Sequence, residues 1–172
     1  VEASVWGKFV HSGQICMIAN RFIVEDGIYD AFVDRFTART KELGVGDPND
    51  LNTFVGPVVN EQQFDSITKL IERAKGYGST RTMLEGRAKG LVIPPHVFAD
   101  VPADSPLNHN EIFGPVAPIT RARDEAHALE LANDTEYGLS SAVFTKDIQR
   151  GVAFAKQIEA GMTHVNDQTV ND

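Results

Sequence analysis

The chain carries one cysteine, Cys16, set in the run Phe9-Val10-His11-Ser12-Gly13-Gln14-Ile15-Cys16-Met17. A lone cysteine is read in two ways. It packs as a small hydrophobe, or it serves as a thiolate nucleophile held close to backbone N–H groups. Gly13, at a bend between a helix-like and a strand-like stretch, gives the backbone freedom to build the second kind of site. A second segment, Asn110-Glu111-Ile112-Phe113-Gly114-Pro115-Val116, sets a carboxylate and an aromatic ring two residues apart just before a strand. In extended backbone, residues i and i+2 point to the same side. Glu111 and Phe113 then face one ligand, the carboxylate accepting hydroxyl protons and the ring packing on a flat group. The alternative is a turn-stabilising glutamate and a core phenylalanine.

A thiol nucleophile commonly works with a histidine base. The five histidines, His11, His96, His109, His127 and His164, are scattered, and nothing in their spacing specifies a dyad with Cys16. None stands four residues from another histidine or from the cysteine, so no metal site is expected. His127 is expected to face solvent on its helix. Gly44-Val45-Gly46 and Gly76-Tyr77-Gly78 lack the third glycine and the strand-to-helix setting of a dinucleotide-binding loop, and read as turns.

These side chains need a frame to hold them. Val1 to about Ser12 reads as a helix that Gly13 interrupts, and Arg21 to Val24 as a short strand. Asp26 is expected to cap a helix with Ile28, Phe32, Val33 and Phe36 on its apolar face. Asn60, with Gln63 three residues on, has the form of a capping box, opening a helix through Phe64, Ile67, Leu70, Ile71 and Ala74. Thr80 to Val101 is broken by Gly86, Gly90, Pro94 and Pro95 and suits short strands and turns. Beyond it, Val116–Ile119, Ser141–Phe144 and Met162–Val165 read as strands, and Asp124 and Asp147 cap the two helices between them. A β-α-β-α-β run with short connections predicts parallel strands and right-handed crossovers. The expected fold is α/β, an open, mainly parallel sheet with helices on both faces.

With 172 residues, 42% of them apolar, the chain is long enough for one domain with a sizeable core. Sixteen basic against 24 acidic residues leave a net charge of −8, which disfavours a general affinity for nucleic acid. No stretch approaches the roughly 18 apolar residues of a membrane helix. A single cysteine and the lack of an opening secretory or transit segment point to the cytoplasm. The chain opens on Val1 already in a helical pattern and stops at Asn171-Asp172 just after a strand-like run. It is therefore expected to be a piece of a longer protein.

Taken together, Phe9–Cys16 resembles the active-site cysteine motif of the NAD(P)-dependent aldehyde dehydrogenases, and Glu111-Ile112-Phe113-Gly114-Pro115-Val116 resembles their Glu-x-Phe-Gly-Pro motif. Gly56-Pro57 before a helix and Tyr137-Gly138-Leu139-Ser140-Ser141 before a strand agree in order and separation. The resemblance spans essentially the whole chain. Its close, Thr163 to Asp172, is most similar to the benzaldehyde, vanillin and salicylaldehyde dehydrogenase branch.

The resemblance implies that Cys16 attacks an aldehyde, expected to be aromatic, to give a thiohemiacetal and then a thioester that water hydrolyses. It implies that Glu111 holds the nicotinamide-side ribose of NAD or NADP, with NAD favoured, while Phe113 packs against it. It further implies a small-molecule aldehyde as the partner and a homodimer or homotetramer. Residues 1–172 would form the thiol-bearing catalytic domain. The family's general base, oxyanion asparagine and glycine-rich cofactor loop lie upstream of the cysteine motif, so the isolated piece is expected to be inactive. An acylating or semialdehyde dehydrogenase of the same superfamily, or a binding domain with an inert buried cysteine, are the competing readings.

Overall fold

The computed structural model describes residues 1–170. Four strands form the main sheet in the order β1-β4-β3-β2: β1 (Phe22–Glu25), β4 (Val116–Ala122), β3 (His96–Ala99) and β2 (Arg81–Leu84). β1 and β3 run parallel to β4, and β2 pairs antiparallel with β3. Side chains alternate across the sheet as the pleat requires. Val97, Ala99, Ala117 and Ile119 join a core with α1 (Glu2–Phe9) and α2 (Asp26–Lys41). Phe98 and Val116 join a second core with α3 (Glu61–Ala74) and Leu107 of α4 (Pro106–His109). The α/β architecture with helices on both faces is the expected one.

The first core is built around Phe36, which meets Phe9, Phe22 and Phe32 at centroid distances of 6.0, 5.0 and 5.5 Å. α2 differs from expectation in two respects. It begins at Asp26, so Glu25 holds the cap position without a side-chain bond, and Asp26 pairs with Arg121 at 2.7 Å. Its buried face includes Tyr29, Val33 and Phe36, while Ile28 is 62% exposed. Tyr29 is drawn in because its hydroxyl donates to Ile119 O at 3.0 Å and accepts from Asp100 N at 2.6 Å. Arg121 lies 3.9 Å above its ring.

β5 (Ser140–Val143) and β6 (Met162–Val165) pair parallel around α6 (Ile148–Ala155), as the alternating pattern predicts. They form a separate two-stranded sheet, however, and do not extend the one containing β4. Both edges of β4 are already taken by β1 and β3, so β5 cannot pair directly beside it, and the connecting helix α5 (Glu125–Asn133) leads to the second sheet. The Asp124 and Asp147 caps form as expected, accepting from His127 N at 2.8 Å and Arg150 N at 3.0 Å. No helix among the described residues is long and apolar enough to cross a membrane.

Candidate active site

After α1 the chain makes one turn of 3₁₀ helix, Val10–Gly13, in which His11, Ser12 and Gly13 take φ of 51°, 58° and 74°. Left-handed backbone at a non-glycine residue costs on the order of 1 kcal/mol and persists only when neighbours hold it. The segment Gly56–Val59 does so. Ser12 Oγ donates to Gly56 O at 3.1 Å and accepts from Gly56 N at 3.0 Å. Gln14 Nε2 donates to Pro57 O at 3.3 Å, and its Oε1 accepts from Val59 N at 2.8 Å. Cys16 follows on a turn closed by Ile18 N donating to Ile15 O at 3.0 Å, and it is exposed. Exposure removes the reading of Cys16 as a buried hydrophobe.

The second segment reaches this turn through backbone contact. A Cβ on Gly13 would stand 2.3 Å from Gly114 O, and one on Gly114 would stand 2.4 Å from Ile67 Cδ1. Two missing methyl groups therefore let the cysteine turn, the Glu111–Phe113 loop and α3 stack directly. Asn20 and Gln63 fasten the loop from either side. Asn20 Nδ2 donates to Asn110 O at 2.9 Å, and its Oδ1 accepts from Ile112 N at 3.1 Å. Gln63 Nε2 donates to Ile112 O and Phe113 O, each at 3.2 Å. The expected capping box is thus only half present: Asn60 Oδ1 accepts from Gln63 N at 2.8 Å, but the Gln63 side chain turns to the loop. Phe113 has φ of 49°, so the loop is not the extended run that the i, i+2 argument assumed.

Cys16, Glu111 and Phe113 nonetheless line one cleft of about 730 Å³, which Arg21 and Tyr137 also border. Tyr137 Oη accepts from Glu111 N at 3.3 Å. The Glu111 carboxylate has no partner among the described residues and is free to accept from hydroxyl groups. Phe113, which lines the same cleft, is half-buried. An unpaired carboxylate and a partly covered ring in one cleft suit the hydroxyls and flat surface of a nucleoside-type cofactor.

No histidine is among the residues lining the cleft. His96 is buried with Nδ1 2.7 Å from Pro94 O, and burial pushes its pKa below the ordinary histidine value. His127 is half-buried, its Nδ1 accepting from Arg123 N at 3.1 Å, where solvent exposure was expected. Sequence reasoning assigned no positioning role to Ser12, Asn20 or Tyr137, since a polar loop residue carries no sign of its distant partner. Gln63 had a signal, but it pointed to the helix cap.

The aldehyde dehydrogenase family model matches residues 1–172, and the chain belongs to that family. It is 47% identical over 171 residues to the vanillin dehydrogenase of Corynebacterium glutamicum, covering 99% of this chain and 35% of that protein. The crystal structure of an NAD-dependent benzaldehyde dehydrogenase from the same organism superposes with a TM-score of 0.92 at 44% identity, covering 98% of this chain and 36% of that one. That of a salicylaldehyde dehydrogenase from Pseudomonas putida G7 complexed with salicylaldehyde gives 0.93 at 38% identity, covering 99% and 35%. The chain spans about a third of the length of these relatives. The final residues of the similar closing segment, Asn171 and Asp172, lie outside the described residues.

Proposed function

We propose that the protein carrying this chain oxidises an aromatic aldehyde to its carboxylic acid with NAD(P)+, NAD+ being favoured, and that residues 1–172 form its thiol-bearing catalytic domain. The observation that carries this reading is the shared cleft of Cys16, Glu111 and Phe113, segments about a hundred residues apart in the chain. The vanillin, benzaldehyde and salicylaldehyde dehydrogenases among its relatives support the substrate class, and the NAD-dependent benzaldehyde dehydrogenase supports the cofactor. A cytoplasmic location and a homodimer or homotetramer belong to the same proposal.

Cys16 Sγ, as the thiolate, adds to the aldehyde carbon, and the carbonyl π pair moves to oxygen. Its sulfur retains the acyl carbon as a thioester after oxidation, until water displaces it and restores the thiol. A covalent intermediate of this kind divides one difficult step into two easier ones. Glu111 accepts from ribose hydroxyls, and Phe113 packs against the sugar and ring. When bound, the nicotinamide supplies the two-electron hydride acceptor that this oxidation needs.

The test is the Cys16→Ser variant of the full-length protein assayed with benzaldehyde, vanillin, salicylaldehyde and acetaldehyde. NADH is followed by its near-ultraviolet absorbance, with circular dichroism as the check on folding. The expected result is loss of aldehyde oxidation in a folded variant and a higher kcat/KM for the aromatic aldehydes in the unsubstituted protein. Turnover by Cys16→Ser at the unsubstituted rate overturns the assignment.

A further inference from the structure

Asn20 stands four residues after Cys16, and its one side chain bonds the peptide groups on both sides of Glu111. Nδ2 donates to Asn110 O at 2.9 Å, and Oδ1 accepts from Ile112 N at 3.1 Å. Both partners lie about ninety residues away in the chain. Holding the flanking peptides in this way fixes the backbone at Glu111 and therefore the direction of its Cα–Cβ bond. The other end of the Asn20 segment is equally well held. Ala19 N donates to Gly7 O of α1 at 3.3 Å, and Ile18 N closes the Cys16 turn. Gln63 holds the far side of the same loop through the Ile112 and Phe113 carbonyls, and nothing in its position refers to Cys16. Asn20 is the side chain that ties the nucleophile's own segment to the carboxylate's loop.

We infer that Asn20 is a positioning residue that sets Glu111 in register with Cys16, so that the cofactor's ribose is held at a set distance from the sulfur. This rests on the proposed roles of Cys16 and Glu111. Glu111 is otherwise exposed, and an exposed glutamate on a free loop samples several rotamers and backbone states. Fixing the backbone beforehand removes part of that ordering from the binding step, which is how preorganisation strengthens affinity.

The experiment is a double-mutant cycle on the full-length protein, with NAD+ as the probe and its Kd measured by calorimetry in the absence of aldehyde. Asn20→Ala is expected to weaken NAD+ binding by about tenfold, the order expected from losing well-aligned hydrogen bonds. In a Glu111→Ala background the same substitution should change Kd by less than about twofold, because a residue acting only through Glu111 has nothing left to position. Iodoacetamide should alkylate Cys16 in Asn20→Ala at the unsubstituted rate, a readout that a general loosening of the cysteine turn would move. Where Asn20→Ala does not fold, Asn20→Asp takes its place. It keeps the acceptor for Ile112 N, loses the donor to Asn110 O, and should weaken binding in the same direction. Equal losses of affinity in both backgrounds, or unchanged affinity in Asn20→Ala, overturn the inference about Asn20 while leaving Glu111 in its role. Unchanged NAD+ affinity in Glu111→Ala overturns the role of Glu111 itself.

Discussion

At Gly13 a left-handed φ of 74° coincides with a carbonyl oxygen 2.3 Å from where a methyl group would sit. Gly13→Ala meets both obstacles and should destabilise the protein by more than about 1 kcal/mol, read as a lower urea midpoint. Lys8, on the same helix as Phe9, presents the opposite problem. Its side chain is wholly buried, Nζ finds no acceptor among the described residues, and burial brings its pKa down to about 7. Between about 7 and the ordinary value of 10.5 the unfolded chain binds the proton that the folded chain has lost, so stability rises with pH across that window. Lys8→Met should remove this rise and raise stability most below neutral pH, where the buried amine is charged. Urea unfolding at several pH values checks it. An unchanged slope between neutral and alkaline pH would show that Lys8 is not buried uncharged.

Among the helices, α3 separates two jobs held by residues three apart. Asn60→Ala removes an N-cap and should cost about 1 kcal/mol of stability. Gln63→Ala leaves that cap, since Asn60 accepts from the backbone of residue 63, but frees the carbonyls of Ile112 and Phe113. It should therefore weaken NAD+ binding more than it lowers the melting temperature, and calorimetry beside a thermal scan compares the two. In α2, Phe36→Ala opens a cavity among three rings and should cost about 3–5 kcal/mol. The caps at Asn60, Asp124 and Asp147 and the strand Met162–Val165 were legible in the sequence because each rests on local chemistry: a short acceptor followed by an apolar period, or a branched run ended by a turn. On α2, Val33 and Phe36 were legible as buried. Tyr29 in place of Ile28 was not, because a hydroxyl that finds Asp100 and Ile119 across the fold outweighs the greater hydropathy of Ile28.

For the molecule as a whole, the β5–β6 pair and α6 leave apolar surface uncovered. Leu139, Phe144, Ile148 and Val152 are between 41% and 64% exposed. Large apolar side chains left exposed on these neighbouring elements favour association. The 172-residue polypeptide, expressed alone, should self-associate, and a monodisperse monomer in light scattering would contradict this. It should also form no NADH with benzaldehyde, because it spans only about a third of the length of the relatives it matches. Losing even one oxyanion donor from such a site costs about 10²–10³ in rate. Steady NADH production by this polypeptide is the opposing result.

The candidate residues and most of the elements were readable from the order of residues: a lone thiol after a glycine bend, a carboxylate and ring before Gly-Pro, helices with short polar caps, and alternating strands. Each depends on neighbours a few positions apart. The meeting of Cys16 with Glu111 was not readable in this way. It depends on Gly13 fitting against Gly114 and on Asn20 and Gln63 reaching across the fold. Those are contacts between distant segments, set by which surfaces pack together, and no local pattern encodes the partner.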